Sequence, residues 1–206
     1  MILKDHFIST CLQFIEDQLL IENFWNEIEK KYSEKARHYH NLFHLHNMFS
    51  ELIPVKDKIS DFTVISFSVF YHDVIYNAAL KSNEEKSAEF ALARLETLGL
   101  SKTEIQKVYE QILATKSHQK SGDQDTNFLL DADLSILGKD FEAYVVYTQQ
   151  IRKEYSIYPD FLYRPGRRKV LEHFLQSESI FKTDYFKEKY ETRARENIAS
   201  ELKFIL

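Results

Sequence analysis

Four of the chain's eight histidines fall in one short run, RHYHNLFHLH: His38, His40, His44 and His46. Imidazoles this dense suit proton transfer or metal ligation, because histidine titrates near neutrality and its neutral form is a metal ligand. A helical reading puts His40 and His44 on one face, four residues apart, while His38 and His46 read as solvated. Further along, His72 and Asp73 sit side by side in SVFYHDVIY. A carboxylate in so apolar a segment must be paired, hydrogen-bonded or metal-bound, since an unpaired buried charge is very costly. LLDADLSILG poses the same question for Asp131 and Asp133. They lie about 200° apart around a helix, so one reads as an inward ligand and the other as a cap or supporting group. Two imidazoles and two carboxylates form a mixed nitrogen and oxygen set suited to Mn²⁺, Fe²⁺, Co²⁺, Ni²⁺ or Zn²⁺. One ion is expected, a second is conceivable, and positions stay open for water and substrate. Such an ion acidifies bound water and supplies hydroxide at neutral pH.

The elements that must position these residues read as helices throughout. Only four glycines and three prolines punctuate the chain. Leu12, Ile15, Leu19 and Leu20 open a helical period that runs on to Phe24 and Ile28. Phe62, Ile65 and Val69 continue the pattern in a segment apolar almost all round, which predicts a buried central helix. A strand is the competing reading for VISFSVFY, which is rich in β-branched and aromatic residues. Ser82 with Glu85 and Ser101 with Glu104 each spell a capping box, and Gly99 closes the first of those two helices. Residues 117–126 read as a polar loop. A short helix to Gly138 follows, then one with Phe141, Tyr144, Val145, Thr148 and Ile151 on one face. Pro165 fits the first turn of the next. Phe186, Tyr190, Ala194, Ile198 and Leu202 mark the last. The expectation is one all-α domain over 1–206, with the site motifs in 37–137 and a basic helical part over 140–206.

Composition narrows the function. Hydrophobic residues make up 44% and charged residues 29% of the 206, an ordinary globular balance. A chain this long buries roughly 70% of its unfolded surface, so no metal is needed merely to hold a core and a bound ion is expected to be functional. Cys11 stands alone, which excludes an intramolecular disulfide and any Cys-rich zinc module. No apolar run is long enough to span a membrane, and the N-terminus lacks a signal-peptide pattern, so a cytoplasmic protein is expected. The net charge of −5 argues against an extended nucleic-acid partner. Residues 151–170 nevertheless carry six basic groups against two acidic ones, which suits a small anionic ligand.

The order of RHYHNLFH, FYHDVIY, NEEKSA, ATKSH, DADLSILG and IRKEY resembles the HD superfamily of metal-dependent phosphohydrolases, from about Arg37 to the C-terminal helix. The resemblance is to the bacterial group described only as predicted HD-type phosphohydrolases. It implies an HD-type helical fold, with His44, the doublet His72–Asp73, and Asp133 as the metal ligands. YHNLFH is also similar to the YHNxxH of cyclic nucleotide phosphodiesterases, which implies that His40 protonates the leaving oxygen. Two departures stand out: no Lys follows the doublet, and Tyr76–Asn77 replaces the acidic pair of (p)ppGpp hydrolases. Glu84 is then the candidate acid–base group, because Glu85 is read as the capping glutamate. Lys116, His118, Arg152, Arg164 and Arg167 are candidates to bind substrate phosphate, Arg through its bidentate fork. The implied activity is hydrolysis of a phosphomonoester or phosphodiester of a small phosphorylated substrate, a nucleotide being expected, by metal-bound hydroxide. A non-catalytic nucleotide-sensing HD module is the alternative. The oligomeric state stays open.

Overall fold

α7 (Gln124–Leu134) organises the molecule, and almost all of it is buried. The computed structural model describes residues 2–204 as ten α-helices, and no strand occurs among the described residues. α7 carries three carboxylates, and each has a separate task. Asp125 accepts from the Ser60 and Asp61 amides at 2.8 and 2.9 Å and from Lys107 at 3.2 Å. This fixes the entrance to α4 (Phe62–Tyr71), where Asp61 caps the Val64 amide. Asp131 is fully buried and accepts from the Lys182 and Thr183 amides and from the Thr183 hydroxyl. It thereby anchors the entrance to α10 (Asp184–Phe204). Asp133 is left to face the cluster described below.

α4 is a helix, not a strand, and all eight residues from Val64 to Tyr71 are buried. α1 (Leu3–Cys11), α3 (Leu42–Leu52), α5 (Asn83–Leu98), α6 (Lys102–Ala114) and α7 surround it. The single long helix expected through Leu12 and Leu19 is in fact two. α1 ends at Cys11, and α2 (Gln18–Tyr32) starts afresh because Asp17 accepts from the Leu20 amide. Leu12 and Leu19 are consequently exposed at the break. The Ser101–Glu104 capping box forms, but the Ser82–Glu85 one does not. Glu85 instead pairs with the Lys116 ammonium, which outcompetes a backbone amide for a carboxylate. At the other end of α5, Gly99 takes φ +86°, a left-handed conformation that suits glycine, and lets the Leu100 amide reach Leu95 O at 3.2 Å.

A 3₁₀ turn over Ser135–Gly138 leads from α7 to α8 (Phe141–Glu154). Gly138 is required there, since a Cβ would lie 2.5 Å from Cβ of Tyr190 on α10. α8 buries Tyr144, Tyr147, Ile151 and Glu154, while Phe141 is exposed. α9 (Asp160–Gln176) begins after Pro159, so Pro165 lies beyond the first turn expected for it. α10 buries Phe186, Tyr190, Ala194 and Ile198 as the spacing predicts. One hydrophobic cluster runs from Phe7 to Ile198. Among the described residues no helix is long and apolar enough to cross a membrane.

Candidate metal centre

Each cluster residue comes from a different local device. His44 lies in the first turn of α3, whose N-terminus Asn41 caps by accepting from the Phe43 amide at 2.9 Å. His72 and Asp73 form the turn that ends α4. Asp133 projects from the last turn of α7, and His118 from the loop before that helix. His118 is the one non-glycine residue with positive φ among the described residues, at +50°.

The donor atoms converge. His44 Nε2 is 3.2 Å from His72 Nε2 and 3.1 Å from Asp133 Oδ1. His72 Nε2 is 3.1 Å from Asp73 Oδ2 and 4.0 Å from Asp133 Oδ1. His72 Nδ1 donates to Val69 O at 2.9 Å, which directs Nε2 at the cluster. Both imidazoles are buried, with 2% and 1% of their surface exposed. The donors of His44, His72 and Asp133 lie within 4.8 Å of one another and are placed to hold a metal ion. Separations of 3.1–3.2 Å are those of adjacent ligands on one ion with bonds of about 2.0–2.2 Å, so the set fits a divalent metal. Asp73 flanks the trio through its contact with His72.

Electrostatics agree with the geometry. Burial pushes the His72 imidazole down, but the carboxylates of Asp73 and Asp133 overcome it and raise the pKa to about 9. Burial likewise opposes ionisation of Asp133, yet His118, His44 and His72 hold its carboxyl well below the ordinary range. The negative potential that retains a proton here also attracts a cation. His118 Nε2 donates to Asp133 Oδ2 at 2.9 Å, which leaves Oδ1 turned to His44.

His40 does not share a helical face with His44, because it precedes α3 in a bend. Their ring centroids are nevertheless 5.7 Å apart. The bend is set by Glu154 of α8, which lies in the IRKEY segment but for which no role was expected. Glu154 Oε1 accepts from three successive amides, those of His38, Tyr39 and His40, at 2.7–2.9 Å. Its Oε2 accepts from His40 Nδ1 at 2.6 Å and from the Tyr76 hydroxyl at 3.1 Å. Burial would raise the Glu154 pKa, but these bonds bring it down to about 2. With Nδ1 so engaged, His40 presents Nε2 to Asp73 Oδ2 at 3.9 Å. Burial lowers the His40 pKa, but Asp73 and Glu154 more than offset that and raise it.

Arg37 was also missed. Its buried guanidinium donates to the carbonyls of His40, Asp73 and Val74 at 3.2, 2.6 and 3.0 Å, and so ties the His40 bend to the doublet turn. Tyr32 and Tyr76 flank it, with ring centroids 5.0 and 5.6 Å away. Asn83 and Ser87, from the NEEKSA segment, hydrogen-bond the backbone of Asn77 and Ile75 and hold the chain just after the doublet.

Several expected phosphate ligands are committed elsewhere. Lys116 donates to Lys81 O at 2.8 Å and pairs with Glu85. Arg152 is spent on Asp160 and the carbonyls of Tyr155 and Tyr158. Arg167 makes a buried bidentate pair with Glu201 at 2.8 and 3.0 Å. Arg164 pairs with Asp160 at 3.5 Å. Glu84 lies half-buried in the first turn of α5, outside the groups that touch the cluster.

No protein-family model, curated protein or solved structure matches this chain.

Proposed function

We propose that the chain is a metal-dependent phosphohydrolase of HD type that acts on a phosphomonoester or phosphodiester, with a nucleotide as the expected substrate. The observation that carries this reading is the buried meeting of His44, His72 and Asp133, with a second histidine–carboxylate pair, His40–Glu154, beside it. His44, His72, Asp73 and Asp133 would hold the ion. Mn²⁺, Fe²⁺, Co²⁺, Ni²⁺ and Zn²⁺ all suit that donor set. When bound, the ion polarises a phosphoryl oxygen and acidifies water.

The chain's own groups complete the chemistry. A leaving alkoxide needs a proton, and His40 is tethered to give one from Nε2 while Glu154 holds Nδ1 and stabilises the imidazolium. His118 fixes the Asp133 carboxylate. Arg37 ties the His40 bend to the doublet turn, and Asn83 holds the chain just after it. A scaffold without function would have no use for so costly a concentration of buried charge. A pure sensing module would need the ion but not His40.

The test is to strip the protein with chelator and reload it with Mn²⁺, Co²⁺ or Ni²⁺. Hydrolysis of nitrophenyl phosphate, bis(nitrophenyl) phosphate and a nucleotide panel is then measured beside Asp133→Asn. Metal-dependent turnover that is lost in the variant supports the proposal. Tight metal binding with no turnover on any ester would favour the nucleotide-sensing module.

A further inference from the structure

A cleft of about 610 Å³ opens directly beside His118. Its walls are the loop after α6, the end of α9 and the segment before α10. The volume matches a small-molecule site, typically about 300–1,000 Å³, and far exceeds what a lone phosphate fills. Lys120, Lys182 and Lys187 line it against a single carboxylate, that of Glu178. Lys107, Lys116, Lys139 and Lys189, by contrast, each pair with a carboxylate. Among the described residues, none of the three in the cleft lies at ion-pair distance from a carboxylate; Lys182 makes one hydrogen bond, to Ile180 O at 2.6 Å.

The wall is also built rather than draped. Four consecutive amides, Ile180 to Thr183, are held by two carboxylates. Glu191 takes those of Ile180 and Phe181, and Asp131 those of Lys182 and Thr183. This fixes the backbone from which the Lys182 side chain projects. His173 and Phe174 add aromatic surface to the same cleft. His118 belongs both to the cleft lining and to the Asp133 hydrogen bond, so the cleft and the metal cluster share a wall.

We infer that this cleft binds a second, non-reacting phosphoryl group of the ligand, so that a nucleoside diphosphate or similarly polyphosphorylated molecule is preferred over a simple monoester. Its link to catalysis rests on the phosphohydrolase reading, but the binding itself does not. Lys120 and Lys187 would contact the anionic tail, Lys182 the phosphoryl group nearer Asp133, and the aromatic pair the base.

The experiment is calorimetric titration of ADP, and separately adenosine, into chelator-stripped protein with no added metal. The same titrations are run on the double variant Lys120→Gln/Lys187→Gln. Both lysines are peripheral to the core, and thermal unfolding of the variant verifies its fold. The expected result is ADP binding that weakens about ten-fold or more in the variant, and weakens with salt, while adenosine affinity stays equal in both proteins. Undetectable ADP binding in the unaltered chain, or an ADP affinity unchanged in the variant, would overturn the inference. ADP binding that persists while no metal restores hydrolysis would support the cleft and count against the metal reading alone.

Discussion

At the scale of single residues, the proposed chemistry turns on what holds His40. The imidazole is fixed at Nδ1 by a buried carboxylate and free at Nε2, the arrangement a proton donor needs. His40→Asn should keep the metal yet lower turnover on a natural ester by roughly 10²–10⁴-fold. The loss should shrink on a nitrophenyl ester, whose phenolate leaves without a proton. An equal loss on both would assign His40 to positioning. Glu154→Gln should reproduce the same leaving-group dependence, because the amide still accepts from the three backbone N–H groups but no longer supports an imidazolium. The double variant should be little worse than either single one, as expected for groups that act as a unit; additive losses would separate them. The sequence marked His72, Asp73 and the Asp131/Asp133 pair because carboxylates inside apolar runs demand a reason. The assignment of His44 and Asp133 as ligands came from the family resemblance; the fold brings His44, His72 and Asp133 together. Glu154 was not marked. Its signal was present, since it continues the buried face of Tyr147 and Ile151 on α8, but its partners in the His38–His40 bend lie more than a hundred residues away.

At the scale of elements, α7 shows how one helix serves both fold and site. The two-residue spacing of Asp131 and Asp133 left open which turns inward; the Lys182 and Thr183 amides settle it by claiming Asp131. Asp131→Ala should destabilise the protein by about 2–4 kcal/mol, because buried donors lose their acceptor. Chemical denaturation measures this, and a change within about 0.5 kcal/mol, typical of a surface substitution, would refute the capping role. Helix content and the order of helices were readable from periodicity, including α4 against its strand-like composition. The α1–α2 break was not, since Leu12 and Leu19 fit the apolar pattern and only the Asp17 cap interrupts it. The failed Ser82–Glu85 box has the same origin: a local motif loses to Lys116, brought in by the packing of α6 on α5.

At the scale of the whole molecule, a second charged knot ties α3 to the C-terminal half. Buried Glu51 accepts from Lys189 at 2.8 Å and from the Tyr190 hydroxyl at 2.7 Å, and also pairs with Lys139. Burial pushes its pKa up, but these donors bring it below the ordinary glutamate value. A depressed carboxyl contributes stability that is present above the unfolded pKa of about 4.3 and is lost as pH falls through the folded one. Both lysines are about a third exposed, so Glu51→Gln should cost about 1 kcal/mol at neutral pH, and the gap to the unaltered chain should close in acid below about pH 4. A gap independent of pH would show that the ion pair contributes nothing. The arginines of the basic C-terminal stretch also have partners in the fold. Arg152 pairs with Asp160 of the same stretch, and Arg167 with Glu201, which the folding of α10 brings near.

The central proposal is that His44, His72 and Asp133, with Asp73 beside them, hold a metal ion that the fold does not need for its own stability. The most direct test is elemental analysis of the chain and of His72→Ala after reloading with Mn²⁺ and gel filtration, read beside their helical circular dichroism. Roughly one tightly held ion per chain, near-complete loss in the variant and unchanged helix content in both are expected. Equal metal in the two proteins, or no retained metal in either, would contradict the proposal.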